Sequence, residues 1–345
     1  MQEVIDDLTR WLAAGETDIA LATVLTTWGS APRRAGAKMA FTAGGAALSG
    51  SVSGGCVEGA VIEAGGETLA DGRPRRLRFG VADETAWGVG LACGGTIEVF
   101  VERLDPAAYE AARRWRDAGA SGVLLTVVAG PAAQLGRKAI VEDGRVVAGS
   151  LGAELGAALP SAVPPEPQLL AAAGGVELFV DPIHPAPALF LIGGAHIAVA
   201  LARLAAVVGY RVVVIDPRRA FGNAERFPDV DHIDHRWPDK ALADLRPGAS
   251  AAVVTLSHDP KIDDPALRAA LAGDAFYVGA LGSRKTHAAR RERLAAAGLS
   301  EAQLARIHAP VGLDLGADNP EEIALAIMAE VVQVRRKQYS VSSIQ

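Results

Sequence analysis

Ala188-Leu189-Phe190-Leu191-Ile192-Gly193-Gly194-Ala195-His196-Ile197-Ala198 decides the fold of the second half of this chain. A short apolar run of strand type turns through two glycines into an apolar run of helical type. Dinucleotide-binding folds place a Gly-rich turn at such a junction, with Gly at its first, third and sixth places. Here those places hold Gly193, Ala195 and Ala198. Gly193 suits the tight turn and Ala198 suits helix–strand packing, but the Cβ of Ala195 obstructs close approach of a pyrophosphate. Asp216 follows the next strand-like run, Arg211–Ile215, where a ribose-binding carboxylate sits in such folds.

Outward from this stretch, strands are predicted at 251–255 and 276–279. Helices are predicted at 195–208, 264–271 and 284–297, with a last one from Pro320 to about Arg335. Strand–helix alternation implies a Rossmann-like domain with a mainly parallel sheet and helices on both faces. Strand C-termini share one crevice in such sheets, which brings His258 and Asp259 near a second strand-to-helix junction, Gly279–His287. Gly282, Ser283 and Arg284 make that junction a candidate anion site.

Upstream, seven prolines between 160 and 187 argue against a continuous helix or central strand there, although Val176–Val180 still reads as a strand. The expected domains are 1–185 and 186–345. No internal repeat is visible at a fixed period. The first domain reads as α+β, with strands at 19–26, 39–41, 76–79, 97–102, 123–129, 138–142 and 145–148, and helices at 56–70 and 106–118. The whole is α/β, an N-terminal α+β domain followed by the Rossmann-like one.

Composition excludes several classes. The chain has 345 residues, 34 Lys and Arg against 40 Asp and Glu, and only 5% aromatics. A net charge of −6 gives no field for nucleic acid, and few aromatics are available to stack on bases. Two cysteines make neither a disulfide framework nor a structural zinc site. The N-terminus, with Ile5, Leu8 and Leu12 at helical spacing, lacks the basic region of a signal peptide. Ala188–Tyr210 imitates a membrane span, yet its glycine pair splits it into a strand and a helix. A cytoplasmic protein without a membrane span is expected.

The chemistry-bearing residues of the first domain cluster in Gly-rich loops. Arg33, Arg34 and Lys38 follow the first strand. Gly54 and Gly55 lead to Cys56, which lies at a predicted helix start facing the positive end of the helix dipole. Cys93 is followed by Gly94 and Gly95. Glycine neighbours let bulky partners approach a thiol, so at least one cysteine is expected to be functional.

Six ordered segments carry a resemblance: GSAPRRAGAKM from Gly29, GSVSGGCVEGAVIEA from Gly50, DETAWGVGLACGGTIEVFVE from Asp83, VVVIDPR from Val212, GALGSRKTH from Gly279 and GLDLGADNPEEIALAIMAE from Gly312. Over nearly its whole length the sequence resembles the XdhC/CoxI family, accessory proteins of molybdenum hydroxylases such as xanthine dehydrogenase and carbon monoxide dehydrogenase. The family's usual loop reads G-A-G-H, where this chain has Gly193-Gly194-Ala195-His196.

The resemblance implies a maturation chaperone without turnover of its own. It would bind molybdenum cofactor (molybdopterin), protect it, support its sulfuration and deliver it to an apo molybdenum hydroxylase. On this expectation Arg33, Arg34, Lys38, Ser283 and Arg284 meet the cofactor phosphate. Gly54, Gly55, Gly193, His196, Asp216, His258, Asp259 and Gly282 complete the cofactor-binding set. Cys56 or Cys93 contacts the molybdenum or relays sulfur. A cysteine desulfurase and a second copy of the chain are further expected partners. The alternative is an NAD(P)-dependent oxidoreductase using the Rossmann-like domain, which Ala195 disfavours.

Overall fold

Ile5, Leu8 and Leu12 do lie on one helix, α1 (Ile5–Ala13), with Ile5 and Leu8 fully buried. It opens the computed structural model, which describes residues 1–29, 33–80, 95–152, 155, 160 and 162–342. The chain forms two units, Met1–Pro185 and Ala186–Gln345.

In the first unit, α1 is followed by β1 (Ile19–Trp28), β2 (Lys38–Thr42), β3 (Leu48–Gly50), α2 (Glu58–Asp71), β4 (Arg75–Phe79) and β5 (Thr96–Arg103). Next come α3 (Pro106–Ala118), β6 (Gly122–Ala129), β7 (Lys138–Glu142), β8 (Arg145–Gly149), β9 (Gln168–Ala172) and β10 (Val176–Ile183). Two antiparallel sheets result, ordered β3-β2-β1-β5-β4 and β8-β7-β6-β10-β9.

These two orders are one order written twice, so the unit is an internal repeat that the sequence reading missed. Each half runs helix, three-strand meander, crossover, two strands. The correspondence reaches single residues. Lys38 on β2 donates to Thr23 on β1 at 3.0 Å and pairs with Asp181 of the other half at 2.8 Å. Lys138 on β7 donates to Thr126 on β6 at 3.0 Å and pairs with Glu102 of the other half at 2.6 Å. Gly36 and Gly136 each donate to a β-strand carbonyl, of Val24 and Val127, at 2.8 and 2.9 Å. Each also lies under a proline of the opposite half: a Cβ on Gly36 would meet Pro167 Cγ at 2.5 Å, and one on Gly136 would meet Pro74 Cγ at 2.8 Å. Between the sheets Leu25, Phe100, Val128 and Phe179 form one apolar cluster. Thr23, Lys38, Glu102, Thr126, Lys138 and Asp181 line a cavity of about 20 Å³, roomy enough for one water.

The proline-rich stretch needs correction as well. It contains β9, and β10 extends through Pro182 to Ile183. β9 pairs with β10 only as far as Val180, so Pro182 sits where the strand has a single neighbour and its missing N–H is tolerated.

The second unit comprises β11 (Ala188–Ile192), α4 (His196–Val207), β12 (Arg211–Ile215), β13 (His232–Asp234), α5 (Pro238–Leu245) and β14 (Ala251–Thr255). It continues with α6 (Pro260–Ala272), β15 (Tyr277–Ala280), α7 (Arg284–Ala296), α8 (Glu301–Leu304), β16 (Ile307–His308) and α9 (Pro320–Ser342). Every strand pair is parallel, in the order β13-β12-β11-β14-β15-β16. This is the Rossmann order, and its switch point lies between β11 and β14. Alternation along β11 explains the layers. Phe190 and Ile192 pack towards α5 and α6, whereas Leu189 and Leu191 pack towards α4 and α9. Among the described residues no helix is long and apolar enough to cross a membrane.

Candidate functional site

In the second unit the Gly193 turn is closed by its own neighbours. Asp216 is fully buried. Its carboxylate accepts from Gly194 N at 2.8 Å and from Arg218 through N, Nε and Nη2 at 2.8–2.9 Å. Burial pushes the Asp216 pKa up, but the hydrogen bonds from Arg218 and Gly194 hold it below the usual carboxylate range. The ribose-type carboxylate is therefore occupied within the chain. Gly194 is needed because a Cβ there would stand 2.4 Å from Phe221 O. Arg226 closes the other side by donating to Gly194 O at 3.0 Å. His196 begins α4 and is exposed, lining a surface groove with Arg203, Arg226 and Leu325.

Across the switch point, Ser257 packs against Gly193. Asp259 caps α6, accepting from Lys261 N at 2.9 Å, and His258 is exposed at φ +60°. Ser257 Oγ donates to Asp263 at 2.6 Å. Asp263 and Arg290, each almost fully buried, pair at 3.5 Å. Sequence reasoning missed this pair, because Asp263 lies just before the helix expected at 264–271 and nothing in the residue pattern of the helix expected at 284–297 marks Arg290 as buried. Burial raises the Asp263 pKa and lowers that of Arg290. Ser283 caps α7, accepting from Thr286 N at 3.1 Å, and Gly282 lies in the loop before it. Ser283, Arg284 and Lys285 are exposed.

In the first unit the structure builds a tight loop around a residue that the sequence reading did not single out. Glu58 Oε1 accepts from Ser51 Oγ at 2.6 Å, Ser53 N at 2.9 Å and Gly54 N at 3.1 Å. Its Oε2 accepts from Ser53 Oγ at 2.5 Å, Gly55 N at 2.9 Å and Val57 N at 3.2 Å. Burial pushes the Glu58 pKa up, yet the hydrogen bonds from Ser51 and Ser53 outweigh it and bring it to about 2. These side chains take up the amides of residues 53–57, and α2 starts at Glu58, two residues after Cys56. The Cys56 amide donates to Ser53 Oγ at 2.9 Å, while Cys56 itself is exposed with a free thiol.

The cations near this loop separate. Arg33 joins it, with Nε donating to Ser51 O at 3.0 Å and the guanidinium paired with Glu3. Arg34 is exposed. Lys38 is only 3% exposed, its ammonium turned inward to Asp181, so it does not belong to a surface cation cluster. Cys93 lies outside the described residues. Among the described residues no group of three His, Cys, Asp or Glu side chains could hold a metal ion.

Two family models match the chain: the XdhC and CoxI family over residues 11–80, and the XdhC Rossmann domain over residues 189–331. A probable xanthine dehydrogenase subunit of Bacillus subtilis is 30% identical over 337 residues, covering 94% of this chain and 96% of that one. The molybdenum cofactor insertion chaperone PaoD of Escherichia coli is 30% identical over 319 residues, covering 92% and 84%. A crystal structure of a xanthine dehydrogenase from Bacillus halodurans superposes with a TM-score of 0.80 at 25% identity, covering 96% of both chains.

Proposed function

The chain belongs to the XdhC and CoxI family, and from that premise we propose that it is a maturation chaperone carrying molybdenum cofactor as cargo. On this reading it acts in the cytoplasm. It shields the cofactor through conversion to the sulfurated form, with a cysteine desulfurase as partner, and delivers it to an apo molybdenum hydroxylase. Likeness to PaoD over 92% of the chain supports the cargo.

The observation that carries the reading is the exposed Cys56 thiol on a loop locked by Glu58. A cysteine thiolate is a ligand for transition-metal centres, and an ordered loop presents the sulfur with little entropy left to lose on binding. The experiment is reconstitution of an apo-hydroxylase with molybdenum cofactor, with and without the chain. The expected result is faster and fuller activation with the chain. Equal activation in both arms would reject the reading.

The oxidoreductase alternative meets an obstacle beyond Ala195. Asp216 and the Gly194 amide, which would receive ribose and pyrophosphate, already bond to each other at 2.8 Å. NAD and NADP are expected to bind no tighter than about millimolar, near −4 kcal/mol. Calorimetry checks this, and micromolar binding would restore the alternative.

A further inference from the structure

Two cations open α7. Its first turn holds Arg284 and Lys285 and no acid, although the helix dipole sets its positive end there and disfavours them. Among the other helices, α1, α2, α5, α6, α8 and α9 carry an acid in that turn, and α3 and α4 carry neither an acid nor a Lys or Arg there. Later cations of α7 are neutralised within the fold: Arg291 pairs with Glu301 at 2.5 Å and Arg293 with Asp264 at 2.6 Å. Arg284 and Lys285 enter no hydrogen bond or ion pair among the described residues.

Arg290 is the second, independent observation. Its side chain is 2% exposed and reaches back along the helix to the loop before it, donating from Nη2 to Leu281 O at 2.9 Å. Asp263 is its one acidic neighbour within pairing distance among the described residues, at 3.5 Å. Nε and Nη1 are buried without a partner, as is Nδ1 of His287 one turn closer to the loop. A guanidinium carries five N–H donors, and buried donors are almost always paired. Positive charge thus converges on this helix start from the dipole, from two exposed cations and from below, and Asp263 offsets only part of it.

We propose that the Leu281–Ser283 loop and the first turn of α7 form a site for a phosphate monoester dianion, held by the side chains and backbone amides of Arg284 and Lys285 over a floor made by Arg290. Planar and ammonium cations together with helix amides are the usual ligands of such a group. The inference deepens the chaperone reading and rests on it only for the source of the phosphate. The cargo carries one, and a nucleotide or inorganic phosphate presents the same chemistry.

The test titrates the full chain with inorganic phosphate, with adenosine monophosphate and with chloride as control, following heat and the amide exchange of residues 281–287. Phosphate and the nucleotide should bind and slow exchange there, whereas chloride should not. The double variant Arg284→Ala/Lys285→Ala changes only exposed side chains, so it should fold. It should lose about tenfold in affinity for each cation removed, and Arg290→Lys should weaken binding while keeping the charge. No phosphate binding by the wild type below about 10 mM, or undiminished binding by the double variant, overturns the site. Hydroxylase activation is scored in parallel. A wild type that activates without binding phosphate overturns the site and leaves the chaperone reading intact. A double variant that loses phosphate yet activates fully supports the site and assigns it to free phosphates rather than to the cargo.

Discussion

The first repeat of the N-terminal unit, α1 to β5, and the second, α3 to β10, share strand order, a buried lysine on their second strands and a proline-covered glycine. They part at the segments that hold the two cysteines. From β3 to α2 the first repeat runs through the Glu58-centred loop with Cys56, whereas the second continues Gly149-Ser150-Leu151-Gly152, with no cysteine after Cys93. Between β4 and β5 the first repeat inserts residues 80–95, including Cys93, where the second joins β9 to β10 through Ala173–Gly175. Both cysteines therefore belong to the first repeat, and the second has none. The shared parts build the core; the unshared parts are free to carry function.

The largest expected effect tests the shared core. Lys38→Met strands Asp181, and Lys138→Met strands Glu102, each as a buried unpaired carboxylate. Each substitution should cost about 3–5 kcal/mol in urea melts, with similar values for the two repeats. A silent result at one lysine would break the equivalence.

Glu58→Gln comes next and should affect the first repeat alone. It trades a carboxylate acceptor for an amide that donates against the loop's own N–H groups, at a cost of about 1–3 kcal/mol, read as faster amide exchange at residues 51–57. The pH dependence has a definite sign. The folded pKa of about 2 lies below the ordinary 4.5, so the contribution is complete above pH 4.5 and is lost as pH falls towards 2. Amide exchange of the loop should show that window in the wild type and not in Glu58→Gln. A window in the variant would mean that another group orders the loop.

Thr23→Val and Thr126→Val should give the smallest change. Each removes one hydroxyl acceptor from a buried lysine, 3.0 Å away in both repeats, and should cost about 1 kcal/mol. A difference much larger than that between the two would sharpen the comparison by showing which lysine depends more on its threonine.

Much of the fold was readable because local pattern sufficed. β11, β12, β14 and α3 fall where apolar runs and turn residues put them. β13 and β16 span three and two residues and carry no periodicity to read. The repeat was hidden because its halves share only scattered letters: Thr23 and Thr126, Gly36 and Gly136, Lys38 and Lys138, and Pro74 and Pro167 correspond, whereas Glu102 answers Asp181. The Cys56 loop stood out through its glycines, yet the part Glu58 plays emerges only once the backbone curls its amides towards one carboxylate. Asp216 was readable as a position. Its bond to Gly194, which changes its meaning, was not.

The central claim is that the first repeat alone presents the cargo thiol, through Cys56. It is tested most directly by molybdenum co-eluting with the purified chain after incubation with molybdenum cofactor, in the wild type and in Cys56→Ser. Only the backbone of Cys56 supports the loop, so the variant should keep the wild-type fold and melting midpoint. The account predicts that its retained molybdenum falls at least about tenfold, the loss of roughly 1.4 kcal/mol of binding. Wild-type retention by Cys56→Ser would contradict it.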